Sequence, residues 1–536
     1  MPTHAKEIIK AFEKLESKRG VWESHWQSIA DLALTSRQFT NTPTPGERRT
    51  RRQFDTTAAK AIVKLSSAMH GLLTNPSTQW FALRAREDDL NEIPSVHRWL
   101  TESRNRMLNM FSNPRFGFNT QAHEVYLDLI AFGTSVSIFN EQANRIIFQA
   151  RPLSESFLDA DQDGRINTVY RKYEIHIIDA EEFFGLENLS VKRRQQLADG
   201  KDIEITVVHC VRPRRKRDAT RRTPDNKPWQ SVYVDLEEKE IIRESGFDDF
   251  PYLTPRWSKA SGELYGRSPT MLLLPDIGML SAMRKTTIVS AEQSVAPPYI
   301  VEASGIEGPL RIAPNSIIYK KQGFPDPIKP LVTGNRVELG ENLMDKERAG
   351  INEGYFLDLL TLPDIDRMTT TEVLQRVQQR LVFMSPVLSR LIEEFLQPLV
   401  TRTYRAMARM NMFEEVPEEL EGRPLEVDFV SVMAISQRAS EQFNFQQWIG
   451  NMAPLAQVDP SILDIVNADE VARYAASTWH NVPGRLLRSP EEVADLRQRR
   501  AEAAQAQAEA EAARQTAEVA EMGTKAIKQL SEVAIE

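Results

Sequence analysis

The chain has 536 residues, of which 41% are hydrophobic and 26% are charged, and its formal net charge at pH 7 is -8. This length excludes a small disulfide-stabilised domain and predicts about three or four folding units. The acidic balance excludes a protein that grips nucleic acid along its whole surface, so any contact with DNA is expected to be local.

The first 133 residues of the chain are predicted to be mainly helical. Apolar side chains recur there at three- and four-residue spacings, and the first such segment predicts either one amphipathic helix or a helix pair broken near Gly20. A polar loop follows, and the second helix has Asp55 or Thr56 available as its cap. The predicted helical segments are 5–35, 54–73, 95–111 and 118–132.

The rest of the chain contains several segments that differ in residue composition and in the secondary structure they predict. Residues 134–257 contain short runs rich in β-branched and aromatic residues, which predict a strand-bearing α+β segment. A proline-rich stretch at 297–336 predicts a compact insertion with strands, and Pro386 and Pro398 predict kinks in a long helix. Further helices are predicted at 268–293, 340–360 and 371–410, and the Ala/Glu-rich segment from Leu496 is expected to be helical only when it packs against copies of itself, or else frayed.

Five segments in the same order resemble the head-to-tail connector family of short-tailed, podovirus-type bacteriophages. The most specific is FDTTAAKAIVKLSSAMHGLLTNPSTQWF at 54–81. The others are DLIAFGTSVSIF at 128–139, ELYGRSPTMLLLPDIGMLSAM at 263–283, APP at 296–298, and TTTEVLQR at 369–376 followed by SPVLSRLIEEFLQPLVTR at 385–402. Together they are distributed along most of the chain up to about residue 410.

The resemblance implies an α+β, mainly α, portal fold assembled as a ring of about twelve copies, a dodecamer. On this chain the family's parts map in order along the sequence. They are a wing at 1–267 with its strand-rich part at 134–257, a first stem helix at 268–295, a clip at 296–337, a second stem helix at 338–360, a tunnel loop at 361–371, a kinked helix at 372–412 that returns to the wing, a crown at 413–490, and a C-terminal Ala/Glu-rich helix at 491–536.

The same resemblance implies a structural protein of the virion with no catalytic residue, metal or cofactor. The ring would occupy one capsid vertex, pass double-stranded DNA, contact capsid and scaffolding proteins, dock the terminase large subunit and later a tail adaptor. Candidate residues near the DNA channel are Asp364, Asp366 and Arg367 in the tunnel loop and Arg284 and Lys285 on the first stem helix. Candidate clip residues for docking are Lys320, Lys321 and Lys329.

Two other hypotheses come from different classes of protein. Asp159, Asp161 and Asp163 occupy the first, third and fifth positions of an EF-hand-like loop, which would suit a metal-dependent enzyme of DNA processing. The twelfth position is Tyr170 where a bidentate Glu is required, so a turn between two strands is the preferred interpretation. A capsid scaffolding protein is suggested by the Ala/Glu-rich end, but the β content before residue 410 argues against it.

Other motifs that would indicate an enzyme are missing from the sequence. No G-x-x-x-x-G-K-[ST] loop occurs, so ATP hydrolysis would belong to a separate motor, and the scattered histidines predict no zinc site. The basic run at 212–222 is expected to be a solvated loop on the outer rim of the wing, and the alternative is a contact with DNA phosphates or an acidic partner. Cys210 is the single cysteine, and it is expected to be a buried thiol without a chemical role. One thiol in a chain of this length fits a protein assembled in a reducing cytoplasm. No apolar run approaches the roughly eighteen residues that span a bilayer, which predicts a soluble protein.

Overall fold

The structure is a computed structural model, and it describes only part of the chain. The described residues are 2–40, 46–47, 49–50, 52–76, 78–91, 93–142, 145–218, 220, 223–296, 299–301, 306–307, 319–320, 322–323, 328–330, 337–360, 384–429, 445, 447–448, 450–451, 467–474, 488 and 490–533. They fall into two compact units. One consists of Met1–Leu83, Ser103–Glu415 and Glu426–Met433, and the other of Arg84–Glu102, Val416–Leu425 and Ala434–Glu536.

The first helix runs unbroken from Pro2 to Leu32, so the alternative of a single helix is confirmed and the alternative of a pair broken near Gly20 is wrong. The neighbouring Arg19 is 3% exposed, and its guanidinium donates to the backbone carbonyls of Leu153, Ser154 and Ser156. These bonds hold the helix against residues 153–156 at the point where glycine would weaken it by about 1 kcal/mol. The helices in this part of the chain are α1 (Pro2–Leu32), α2 (Thr57–Leu73), α3 (Asp88–Asn91), α4 (Pro94–Ser112) and α5 (Phe118–Phe132).

The predicted strand-rich segment is confirmed as two antiparallel sheets. The larger has five strands in the order β4-β5-β6-β7-β8, each paired with the next along the chain, and the smaller has the order β3-β2-β9. The strands are β1 (Phe81–Ala85), β2 (Val136–Gln142), β3 (Arg145–Arg151), β4 (Ser156–Ala160), β5 (Ile166–His176), β6 (Glu204–Pro213), β7 (Trp229–Asp235), β8 (Glu240–Phe247) and β9 (Tyr252–Leu253). Two short helices, α6 (Ile177–Phe184) and α7 (Val191–Ala198), separate β5 from β6.

One face of α1 forms a core with the five-stranded sheet. Ile8 and Phe12 of the helix are buried against Phe157 and Val208, and the Phe12 and Phe157 rings meet edge to face at 4.8 Å. Cys210 lies in the same cluster and is fully buried. Burial raises the pKa of its thiol to about 11, which keeps it protonated and unreactive at neutral pH.

Long helices and short strands follow the sheets. They are α8 (Pro269–Val295), β10 (Tyr299–Val301), β11 (Ile306–Glu307), β12 (Tyr319–Lys320), β13 (Ile328–Pro330), α9 (Val337–Gly354), α10 (Leu357–Leu360), α11 (Gln397–Arg409), β14 (Leu425–Phe429), α12 (Ala468–Tyr474) and α13 (Pro490–Val533). Strands in the proline-rich insertion are thus confirmed. Just before Pro398, a π-helical turn at Ile392–Leu396 interrupts the helix leading into α11. Among the described residues, no helix has the length and apolarity to cross a membrane.

Candidate functional site

The start of α8, the predicted first stem helix, is fixed to the end of α5. Ser268 caps the helix by accepting the Met271 N–H at 2.9 Å, and its hydroxyl donates to the Ala131 carbonyl at 2.8 Å. Two glycines permit this approach. Gly133 has a φ of +75°, and a Cβ added to it would lie 2.3 Å from the carbonyl oxygen of Gly266. Only glycine at this position lets the two backbones meet.

Helix α9 packs along α8 in the antiparallel sense. Near its start, Gly340 faces Thr287, and at its end Gly354 faces Leu273, where an added Cβ would lie 2.5 Å from the leucine side chain. The residue after α9, Tyr355, is buried and donates to the Thr270 hydroxyl at 2.9 Å. Small residues at both ends therefore let the two helices pack closely into a hairpin.

One face of α8 is packed and the other is exposed. Ile277 and Leu280 are buried within the first unit. By contrast, Leu272 is 79% exposed, and Met279 and Val289 are nearly half exposed. Leu272 and Met279 are seven residues apart, so they lie on the same side of the helix, whereas Val289 is turned by about 80° from Met279. The apolar α8 face is defined by Leu272 and Met279, both of which are exposed in the described structure.

The two cations predicted on α8 occupy different surroundings. Lys285 is exposed, and its ammonium lies 5.5 Å from the centroid of the Phe54 ring. The segment just before α2 also contacts α8 through Ser281, which accepts the Phe54 N–H and donates to the Arg52 carbonyl. Arg284 is half-buried beside it. A channel role for either residue stays a prediction.

The candidate clip lysines lie on, or next to, short strands. Lys329 is on β13 and pairs with Ile300 of β10, and Lys320 is on β12 and pairs with Ile306 of β11. Lys321 lies outside the described residues. The same holds for Asp364, Asp366 and Arg367, together with the whole predicted tunnel loop.

The aspartate-rich loop folds as a strand turn. Gly164 has a φ of +76° between β4 and β5, and Asp161 accepts the backbone N–H groups of Asp163 and Arg165. The Gly164 carbonyl accepts from the cationic side chains of Arg256, at 3.1 Å, and Lys259. The side chains of two cationic residues therefore contact the backbone of this loop. No cluster of three metal-ligand side chains occurs among the described residues. The turn interpretation is confirmed.

Two arginines of the basic run are bonded within the protein. Arg212 lies near the end of β6 and donates to Gln230, and Arg214 donates to Glu244 and to two backbone carbonyls. Arg215 and Arg217 are exposed. These contacts favour an ordinary surface loop.

Sequence reasoning overlooked a groove between α11 and the sheets. Arg402, Arg405 and Arg409 lie on one side of α11, and Asp249 from the segment after β8 pairs with the last two. The three- and four-residue spacing of the arginines was visible in the sequence. The carboxylates that face them lie more than 150 residues away along the chain, and no local pattern indicates them.

The comparisons with known proteins agree with one another. A family model described as "Bacteriophage head to tail connecting protein" matches residues 5–487. The chain is 30% identical over 517 residues to the probable portal protein of Bordetella phage BPP-1, which covers 94% of this chain and 92% of that protein. It is also 30% identical over 516 residues to the portal protein of Salmonella phage epsilon15, with the same shares covered.

Proposed function

Because this chain belongs to the bacteriophage head-to-tail connecting protein family, and is therefore a phage portal protein, we propose that it forms a dodecameric ring through which double-stranded DNA enters and leaves the capsid. Portal proteins are structural proteins of the virion and link head to tail. The ring, its copy number and its DNA channel are the proposal. They rest on family membership and on the surface of α8.

The apolar α8 face is the observation that best supports a ring. Leu272 is 79% exposed, although the other side of its helix is well packed. Leaving this side chain in water costs a monomer free energy. Burying a leucine or methionine side chain is worth about 1.5 to 3 kcal/mol, so a few such residues repeated at every subunit contact stabilise a closed assembly. We propose that a neighbouring copy covers this face.

The family's parts are assigned to this chain as follows. The wing comprises 1–267, the stem helices 268–295 and 338–360, the clip 296–337 and the tunnel loop 361–371. A kinked helix at 372–412, a crown at 413–490 and a C-terminal helix at 491–536 complete the assignment. The antiparallel α8–α9 hairpin and the strand pairs between its two helices support the order stem, clip, stem.

The proposed channel combines acidic and basic residues. Asp364 and Asp366 would form rings of negative charge that discourage adhesion of the DNA, whereas Arg367, Arg284 and Lys285 would steady it through its phosphates. The net charge of -8 on each copy supports passage without tight binding.

The clip is the proposed docking region for other phage proteins. Lys320, Lys321 and Lys329 would attract acidic surfaces on the terminase large subunit during packaging and on a tail adaptor afterwards. Capsid and scaffolding proteins would contact the wing.

Mass photometry of the purified chain tests the ring directly. We expect a closed species of about twelve copies, with a central hole in negative-stain class averages. The double variant Leu272→Glu, Met279→Glu should shift the population to small species, because it places charge in the subunit contact. Val191→Glu is the matched control, since Val191 is 74% exposed on α7. A stable monomer of the unmodified chain would refute the ring, and an intact ring of the double variant would refute the assigned contact.

A further inference from the structure

Two adjoining cavities form one groove in the described part of the first unit. They measure about 490 Å³ and about 660 Å³ and share Asp249, Phe250 and Arg402. Helix α11 forms one side of the groove, and β7, β8 and the segment that follows β8 form the other. The groove is therefore made by elements far apart in sequence but fixed in one fold.

Most charges of the groove neutralise one another. Arg409 contacts Glu141 at 2.5 Å and Asp249 at 3.3 Å, and Arg405 also contacts Asp249. Lys227 pairs with Asp248 at 2.8 Å. These carboxylates are thus already bound to cations.

Two arginines of the groove lack a carboxylate partner among the described residues. Arg402 makes one hydrogen bond, from Nη1 to the carbonyl of Tyr252 at 2.9 Å, and its guanidinium lies 5.7 Å from the centroid of the Phe250 ring. Arg243 is exposed on β8, where it pairs with Tyr233 across the sheet. Both line the smaller cavity. This cavity therefore holds uncompensated positive charge on a chain that is acidic as a whole.

Burial makes the charge of Arg402 costly. It lowers the pKa of the guanidinium to about 9, although the nearby Asp249 carboxylate acts in the opposite direction. Arg402 still carries its charge at neutral pH. An anion that reached it would replace lost solvation with a charge-assisted hydrogen bond, which is about twice as strong as a neutral one.

Aromatic side chains stand beside these cations. The Trp229 and Phe250 rings are 4.7 Å apart, and Tyr252 lies 6.1 Å beyond Phe250. Tryptophan, tyrosine and arginine are enriched at the energetically dominant positions of protein interfaces. Phe250 and Tyr252 are buried and support the partly exposed Trp229, so Trp229 supplies the apolar surface of the groove beside the two arginine donors.

We propose that this groove docks an acidic polypeptide segment of another protein, with one carboxylate held between Arg402 and Arg243 and an apolar side chain on Trp229. Charge complementarity selects the partner. A nucleic-acid strand would carry a negative charge at every phosphate along a groove in which most of the cations are already paired with carboxylates. A polypeptide can alternate carboxylate and apolar side chains and so match both surfaces.

A labelled peptide tests the docking on the assembled, full-length protein. The probe is a fluorescein-labelled, C-terminally amidated peptide of alternating Glu and Leu, and fluorescence anisotropy reports its binding. We expect saturable binding that Arg243→Gln and Arg402→Met each weaken by about tenfold or more, since each removes a charge-assisted bond. Arg194→Gln, an exposed arginine on α7, should leave the affinity unchanged.

Several results would overturn the proposal. They are no binding of the Glu-Leu peptide, equal binding of the matching Lys-Leu peptide, and equal affinity in Arg243→Gln. Displacement of the peptide by millimolar inorganic phosphate would show a general anion site, and displacement by a single-stranded oligonucleotide would show a DNA contact. The Arg243 side chain makes no hydrogen bond or ion pair with the described residues, so its variant tests the site even where Arg402→Met destabilises the fold.

Discussion

Replacing Glu394 by glutamine tests the ion pair that joins the π-helical turn to the strand-rich part of the first unit. The Arg256 side chain is 5% exposed, and its Nη2 lies 2.6 Å from Glu394 Oε1. Glu394 also accepts the Arg256 backbone N–H at 2.9 Å. Other donors of Arg256 reach the carbonyls of Gly164 and Leu264. One guanidinium therefore holds the β4–β5 turn, the segment before α8 and the π-helical turn together.

The expected cost follows from burial. Removing one partner of a fully buried ion pair costs about 3 to 5 kcal/mol, because the other charge is left uncompensated. Glu394 is 18% exposed and Arg256 keeps its two carbonyl partners, so we expect about 2 kcal/mol for Glu394→Gln. This free energy corresponds to about a thirtyfold change in a local opening equilibrium.

Hydrogen exchange measured by mass spectrometry reports that equilibrium without requiring the large chain to unfold in one step. Peptides covering 158–168 and 388–398 should exchange about thirtyfold faster in Glu394→Gln. Glu263→Gln is the matched control, because Glu263 pairs with Arg267, whose side chain is 47% exposed, and such pairs contribute about 0 to 1 kcal/mol. Equal effects of the two substitutions would refute the argument from burial.

Three further predictions concern buried groups. Burial lowers the pKa of His209 from 6.5 to about 3, so below about pH 6.5 the unfolded chain binds a proton that the folded chain does not. The contribution of this group to stability should therefore be complete above about pH 6.5 and should fall as the pH decreases. Thermal unfolding profiles against pH that stay parallel for His209→Gln and the unmodified chain would contradict this. Gly133→Ala should destabilise the fold by more than about 1 kcal/mol in thermal unfolding, because Gly133 has a positive φ and an added Cβ would clash with the Gly266 carbonyl. Gly71→Ala should not destabilise the fold, because Gly71 lies on α2 with open space around it. Similar melting of the two variants would argue against the close approach of the Gly133 and Gly266 backbones. Cys210 should resist alkylation until the protein unfolds, and labelling of the native protein at the unfolded rate would show that the thiol is accessible.

Local patterns predicted the features that depend on neighbouring residues. The turn at Asp163-Gly164 followed from the residue types alone, since glycine supplies the positive φ and Asp161 accepts the backbone N–H groups of the turn. Helix α5 was predicted at 118–132, its observed bounds, because its apolar spacing ends at Gly133, which caps the helix in a left-handed conformation.

Features fixed by distant contacts could not be predicted in this way. The sequence left a single helix and a pair broken near Gly20 as alternatives, because Arg19 binds carbonyls more than 130 residues away and no local rule includes that stabilisation. The groove was missed for the same reason. In the sequence, Arg402 is one of several arginines on an amphipathic helix. Only the folded structure shows its contacts with Tyr252 and Phe250.

The apolar α8 face and the groove differ in physical chemistry, and this difference separates assembly from docking. Contacts of Leu272 and Met279 would be stabilised by removal of apolar surface from water, which added salt does not weaken. A carboxylate held by Arg243, an exposed cation, would be screened as the Debye length falls from about 10 Å at 0.1 M salt to about 3 Å at 1 M. High salt should therefore release an acidic peptide and leave the ring intact, so that neither surface can be mistaken for the other.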